Sequence, residues 1–204
     1  MARRKEHTHE QIRHMAISAV VEHLQCHGVD NLSLRKVATT IGYVPSTLIN
    51  IFGSYQYLLL AVSEQTLLQL AAQLQLIKPT TPKQTIEQMA LVYSQFALAN
   101  RRCFRLVFEL TMTDDQPLPA ALLGLIKSLF SDVESQLSQY FPSACEQEVE
   151  MMSRVLWGGI HGLTCLSLDG KLFETQSCLQ DMLMSHVSSY IDGMSIKRNS
   201  NAAN

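Results

Sequence analysis

Residues 31–53 read NLSLRKVATTIGYVPSTLINIFG, and the rest of the chain is best understood outward from them. Leu32, Leu34, Val37, Ala38 and Ile41 recur at steps of two to four, which lays most of them on one face of a short helix. Ser33 precedes this run, where its hydroxyl can accept from the unpaired N–H groups of a first turn. Gly42 follows it, at a position where a left-handed residue costs glycine nothing. Pro45 then suits the first turn of a second helix, because its missing N–H is not needed there. On that helix Ser46, Thr47 and Asn50 carry short hydrogen-bonding side chains, while Leu48, Ile51 and Phe52 turn inward. A capped helix, a glycine turn and a second helix with a small polar face predict a helix-turn-helix, whose second helix enters the DNA major groove.

The same residues resemble the DNA-binding signature of the tetracycline-repressor (TetR) family. Ser33-Leu34-Arg35-Lys36-Val37-Ala38 matches its Ser/Thr-aliphatic-Arg-x-aliphatic-Ala stretch. The run from Gly42 through Tyr43, Pro45 and Asn50 to Phe52 matches its glycine-led turn and second helix. The resemblance is strong over roughly the first 55 residues and rests on length and helical character beyond them. This chain departs from the pattern at Ile49, where the family usually has Tyr, and at Tyr55, where Lys is common. Both family residues usually touch phosphate, so the resemblance implies fewer phosphate contacts here.

Length and composition suit one domain, or a small head on a larger body. The chain has 204 residues, 47% of them hydrophobic, enough for a sizeable core. No apolar run approaches the roughly 18 residues of a membrane span. The N-terminal MARRKEHTHE lacks the apolar core of a signal peptide. A cytoplasmic location is the expectation. Cys26, Cys103, Cys145, Cys165 and Cys178 are scattered, odd in number and without a CxxC pair, as for small buried residues in a reducing compartment. Residues 1–55 carry six Lys/Arg against four Asp/Glu, hence +2, so the remainder is −4 for a total of −2. A modestly basic head suits phosphate contacts at one end only.

Helical periodicity continues throughout, without strand-like alternation or repeats. A first helix is predicted over about 8–27, preceded by a basic arm at Arg3, Arg4 and Lys5. A long helix is predicted over about 54–77, broken by Pro79 and Pro82. Further helices are expected over 83–100, 101–112, 119–140, from a Ser143/Glu146 capping box to about 169, and over 175–191. The loop at 113–117 carries Asp114, Asp115 and Pro117. The fold class is therefore all-α: a three-helix head (1–55), a helical body (56–195), for which the resemblance implies a regulatory and dimerisation role, and a disordered tail (196–204).

The chemistry-bearing residues are few. Trp157-Gly158-Gly159-Ile160-His161-Gly162 puts three glycines in a helical run, each costing about 1 kcal/mol against Ala. Close approach of a neighbouring helix is the usual compensation. This Trp-x-x-x-His-Gly element is similar to one in the regulatory region of a TetR subgroup. His161 can anchor the polar group of a ligand, or simply bond a neighbouring helix. Tyr93, Phe96, Phe104, Phe108 and Met112 join Trp157 and His161 as a candidate ligand lining, or are ordinary core. His23 and His27 share a helix face, but no third ligand is spaced to complete a metal site. There is no Gly-rich phosphate loop, GxSxG elbow or HExxH, and His161 with Cys165 lacks an orienting acid, so no enzyme and no cofactor are expected.

The sequence thus predicts a homodimeric, ligand-responsive transcriptional regulator, most simply a repressor on a near-palindromic double-stranded operator, with a small, largely apolar effector. Ser46, Thr47 and Asn50 are expected at base edges or nearby phosphates. Ser33, Lys36 and Tyr43 are expected at the DNA backbone, and Arg35 in an internal salt bridge. The last two long helices are the expected dimer interface. The alternatives are a ligand-insensitive DNA-binding or structural dimer and a helical enzyme using His161.

Overall fold

The computed structural model describes residues 7–78, 80–112, 117–172 and 176–202. Among these the chain forms nine α-helices and no strand, as the periodicity predicts. They are α1 (His9–Cys26), α2 (Leu34–Thr40), α3 (Pro45–Phe52), α4 (Tyr55–Leu74), α5 (Pro82–Ala99), α6 (Arg101–Glu109), α7 (Ala120–Tyr140), α8 (Glu146–Leu168) and α9 (Gln176–Ala202). A single 3-10 turn, Val29–Asn31, joins α1 to α2. The basic arm at residues 3–5 and most of the 113–117 loop lie outside the described residues. No described helix is long and apolar enough to cross a membrane.

Packing divides the chain into two compact units. The first comprises Met1–Leu68 and Asn100–Pro119; the second comprises Gln69–Ala99 and Ala120–Asn204. The first unit therefore contains the expected head, the first part of α4 and all of α6. Helix α4 begins in one unit and ends in the other.

The first unit closes over one apolar cluster. Ile12, Ala16, Ile17, Val20 and Leu24 of α1 meet Val37 and Ala38 of α2, Leu48 and Phe52 of α3, and Leu58 and Val62 of α4. Helix α1 begins with a reciprocal cap in which Thr8 Oγ1 accepts from Gln11 N and Gln11 Oε1 accepts from Thr8 N. At its other end the Arg102 guanidinium of α6 donates to the carbonyls of Leu24 and Gln25, at 3.2 and 2.5 Å. These are carbonyls a helix end leaves without an intrahelical partner. An arginine from a distant stretch of sequence thus closes α1.

In the second unit α5 packs against α7, α8 and α9, and α8 packs against α7 and α9. The unit's buried interior is drawn from Ile86, Met89, Phe96 and Ala97 of α5, Met152, Leu156 and Ile160 of α8, and Leu183, Val187 and Ile191 of α9. Two boundaries differ from expectation. Helix α8 starts two residues later than a Ser143 cap requires, because Ala144 N bonds to Phe141 O in a turn; Glu148 Oε2 accepts from Cys145 N at 3.0 Å instead. Residues 196–202, expected to be disordered, continue α9. Arg198 pairs there with Glu148 at 2.9 Å and donates to Ser143 Oγ at 3.1 Å, which ties the last turns back to the start of α8.

Candidate nucleic-acid interface and ligand site

Helices α2 and α3 form the predicted helix-turn-helix. Ser33 Oγ accepts from Lys36 N at 3.3 Å at the start of α2. Gly42 closes it at φ 78°, with Tyr43 N donating to Ala38 O at 2.9 Å. That backbone conformation is strained for any residue with a Cβ, so the turn depends on glycine. Val44 is extended and Pro45 occupies the first turn of α3. Burial of Leu48 and Phe52 fixes the roll of α3 and turns the opposite face to solvent.

The candidate DNA residues differ in what they already do. Ser46 and Asn50 are exposed one turn apart on the outer face of α3, and Thr47 is half-buried beside them. Ser33 is occupied as the cap of α2. Lys36 is exposed and its Nζ donates to Asn31 O at 2.5 Å. Tyr43 Oη is 2.8 Å from His7 Nδ1, which joins the segment before α1 to the turn before α3. Arg35 is exposed and forms no ion pair among the described residues, contrary to the expected internal bridge. Within the first unit Arg13 instead pairs with Glu64, at 3.8 Å, with the Arg13 guanidinium 5.2 Å over the Phe52 ring.

Tyr55 behaves differently from a surface residue. Its hydroxyl is buried without a hydrogen-bond partner among the described residues, and burial pushes its pKa up. The side chain packs against the apolar cluster of the first unit. A residue facing this way reinforces the core rather than reaching for phosphate.

The second unit centres its polar chemistry on His161. Tyr93 Oη of α5 lies 2.8 Å from His161 Nδ1. The Trp157 ring is stacked on the imidazole at 4.9 Å and 20°, with Phe130 of α7 edge-on to Trp157 at 5.5 Å. Cys165 Sγ is 3.3 Å from His161 Nε2, one turn further along α8. Burial drives the Tyr93 hydroxyl pKa well up, against an opposing hydrogen bond with Trp157, and drives the His161 pKa down. Tyr93 is thus a protonated hydroxyl and His161 a neutral imidazole at pH 7. A neutral imidazole donates from one nitrogen and accepts at the other, and here Nδ1 faces the Tyr93 hydroxyl and Nε2 the Cys165 thiol, so a ligand hydroxyl or carbonyl reaches the ring only by displacing one of them.

The seven candidate ligand residues fall in both units. Tyr93, Phe96, Trp157 and His161 belong to the second. Phe104, Phe108 and Met112 belong to the first, where Phe104 is buried and Phe108 lies 5.0 Å from it, 40% exposed. The glycines of α8 also separate. A Cβ on Gly159 would stand 2.1 Å from His186 Nε2 of α9, which sits 3.2 Å from Leu156 O. Gly159 therefore makes room for the close approach of α9. A Cβ on Gly158 or Gly162 meets nothing within 4 Å. Those two lie on an outward stripe with Met151, Val155 and Leu166, which are 53, 50 and 42% exposed. Beside it a groove of about 600 Å³ runs between α8 and α9, lined by Leu163, Asp181, Met182 and Ser185 among others.

Sequence reasoning missed Arg102, His7 and His186. Each acts through a partner 30 or more residues away, and no local pattern marks such a pair.

Residues 86–188 match the family model of the tetracyclin repressor-like C-terminal domain, about half of the chain. The chain belongs to the TetR family. The match covers α8 with its Trp157 and His161, whereas the helix-turn-helix resemblance lies outside it. No curated protein matches the chain in sequence. Solved structures share the fold. A protein of unknown function from Rhodococcus sp. RHA1 superposes with a TM-score of 0.75 at 19% identity, over 95% of this chain and 98% of that one. Thermus thermophilus FadR, a TetR-family transcriptional repressor solved with lauroyl-CoA, gives 0.66 at 15%, over 89% and 94%. TetR-Q116A from Acinetobacter baumannii AYE, solved with minocycline, gives 0.64 at 17%, over 90% and 96%. These likenesses run across both units of the TetR fold, and the family is one of transcriptional regulators rather than enzymes.

Proposed function

We propose that this TetR-family regulator is a ligand-responsive repressor that binds a near-palindromic operator as a homodimer. The observation that carries the reading is α3: its apolar side is locked inward by Leu48 and Phe52, leaving Ser46 and Asn50 presented outward on the second helix of a helix-turn-helix. Asn50 and Ser46, with Thr47, address base edges. Ser33, Lys36 and Tyr43 address the backbone, Tyr43 through the hydroxyl that His7 orients. Two half-sites about one turn (~34–36 Å) apart follow from a two-fold dimer.

The dimer face we assign is the outer side of α8 and α9. Two helical glycines cost about 1 kcal/mol each, and among the described residues no close neighbour accounts for Gly158 or Gly162. A partner helix crossing at that stripe accounts for both and covers Met151, Val155 and Leu166. On α9 the exposed residues along the matching stripe are Asp181, Ser185 and Ser189, of which the two serines are small enough for close packing.

The effector is a small, largely apolar molecule with one hydroxyl or carbonyl group. His161, with Tyr93, Trp157 and Phe96, supplies its polar anchor and aromatic wall. Phe104, Phe108 and Met112 are the first unit's aromatic and thioether candidates. Helix α4, shared by both units, is the covalent route by which an occupied body alters the heads.

The test is calorimetry of a ligand found by thermal-shift screening, with and without operator DNA. An effector shifts DNA affinity only by its preference for the non-binding arrangement, typically 1–3 kcal/mol, and linkage makes the effect reciprocal. Operator is expected to weaken effector binding about 5- to 150-fold, and His161→Ala to abolish effector binding while DNA binding persists. Equal effector affinity with and without operator contradicts the switch.

A further inference from the structure

The outer face of α3 is unusual in being partly greasy. Among residues 7–54 only two large hydrophobic side chains are exposed, Val44 at 60% and Ile49 at 41%. Val44 caps the N-terminus of α3 and Ile49 lies one turn in, between the exposed Ser46 and Asn50. The rest of the apolar residues of this helix, Leu48, Ile51 and Phe52, pack into the first unit's cluster. Exposure of Ile49 is therefore not a packing requirement of the fold. Nor does the helix carry a charge: residues 44–55, VPSTLINIFGSY, hold no Lys, Arg, Asp or Glu. A surface with hydroxyl and amide groups, two branched aliphatic groups and no cation can offer phosphate only neutral hydrogen bonds, and Val44 and Ile49 can offer it nothing. It suits the floor of the major groove, where the apolar group presented by the bases is the C5-methyl of thymine.

Resting on the DNA-binding reading above, we propose that Ile49, with Val44 at the helix start, is a specificity determinant that selects thymine in each half-site by packing against its methyl group. Asn50 and Ser46 supply hydrogen bonds on either side of that contact. The methyl contact commits this position to a base rather than to the backbone. Affinity is moved from the sequence-blind backbone to the bases, so this regulator depends more on its operator sequence and less on low salt.

The experiment uses the full-length protein and the tightest duplex it selects from a random pool. Each thymidine is replaced in turn by deoxyuridine, which removes one methyl group and leaves the hydrogen-bonding edge and the phosphates in place. At one or two thymines per half-site the replacement is expected to weaken binding about fourfold, the worth of one buried methyl-sized group. Ile49→Ala should still bind the duplex but lose the difference between thymine and uracil at one of those positions, and Ile49→Val should keep part of it. Uniform affinity across all uracil duplexes overturns the proposal, as does a selected half-site without thymine. Full discrimination by Ile49→Ala overturns the assignment to Ile49. Failure to prefer any sequence overturns the DNA-binding reading itself, a distinct outcome.

Discussion

Trp157 is the only tryptophan in the chain, so its fluorescence reports directly on the imidazole stacked against it. Burial lowers the His161 pKa below the ordinary 6.5. The sign follows from linkage: the unfolded chain takes up this proton first as pH falls, so stability present above pH 6.5 is lost as pH drops through the folded pKa. Trp157 fluorescence is expected to titrate with a midpoint below 6.5, and His161→Gln to remove that transition together with part of the acid-induced fall in Tm. A midpoint at or above 6.5 contradicts the buried, neutral imidazole. Tyr55 offers a second residue-scale check. An unpaired buried hydroxyl costs about 1–3 kcal/mol in desolvation, so Tyr55→Phe should raise Tm, whereas Tyr55→Lys should lower it by placing an ammonium against the cluster. A Tyr55→Phe melt below wild type would show that the hydroxyl has a partner. Neither Tyr55 nor His161 declares its environment in sequence; burial of one hydroxyl or one ring nitrogen depends on residues far along the chain.

At the scale of elements, the helices of the first unit were legible because their signals are local. Ser33, Gly42 and Pro45 mark caps and a turn through the backbone positions they occupy, and the structure uses each of them so. The start of α8 is ambiguous in sequence because Ser143 and Glu146 satisfy the same spacing rule as Cys145 and Glu148, and only the turn at Ala144 decides between them. Polar residues predominate in the tail and locally favour disorder, yet Arg198 reaches Glu148 fifty residues earlier. The glycines of α8 were legible as a cluster but not as two kinds. Gly159→Ala is expected to displace His186 from Leu156 O and destabilise the protein by about 1 kcal/mol or more. Gly158→Ala meets open space within the chain and should strengthen the isolated helix by up to about 1 kcal/mol, while weakening self-association if a partner helix crosses there. Thermal melts and sedimentation velocity on the pair separate the two roles. A Gly158→Ala protein that dimerises as tightly as wild type contradicts the dimer face assigned to α8.

For the whole molecule, the charge split between a head of +2 and a remainder of −4 fits DNA contact at one end, with few phosphate partners to supply it. Each phosphate contact adds about 0.9 to the log–log salt slope, so a shallow slope is expected here, with base contacts carrying more of the specificity. The family and the all-helical fold could be read from the first 55 residues and the helical periodicity; the composition of the candidate ligand site could not, because its seven residues are scattered from Tyr93 to His161 and fall in two different units, and no local pattern says which residues share a unit. The measurement that tests the central claim most directly is an anisotropy titration of wild type and Asn50→Ala on the selected duplex and on single-base variants of it. Wild type should bind as two protomers to a near-palindrome and lose about 1–3 kcal/mol for a wrong base opposite a good bidentate contact, while Asn50→Ala binds more weakly and loses discrimination at the same position of both half-sites. Binding by wild type that is indifferent to sequence at every salt concentration would contradict the account.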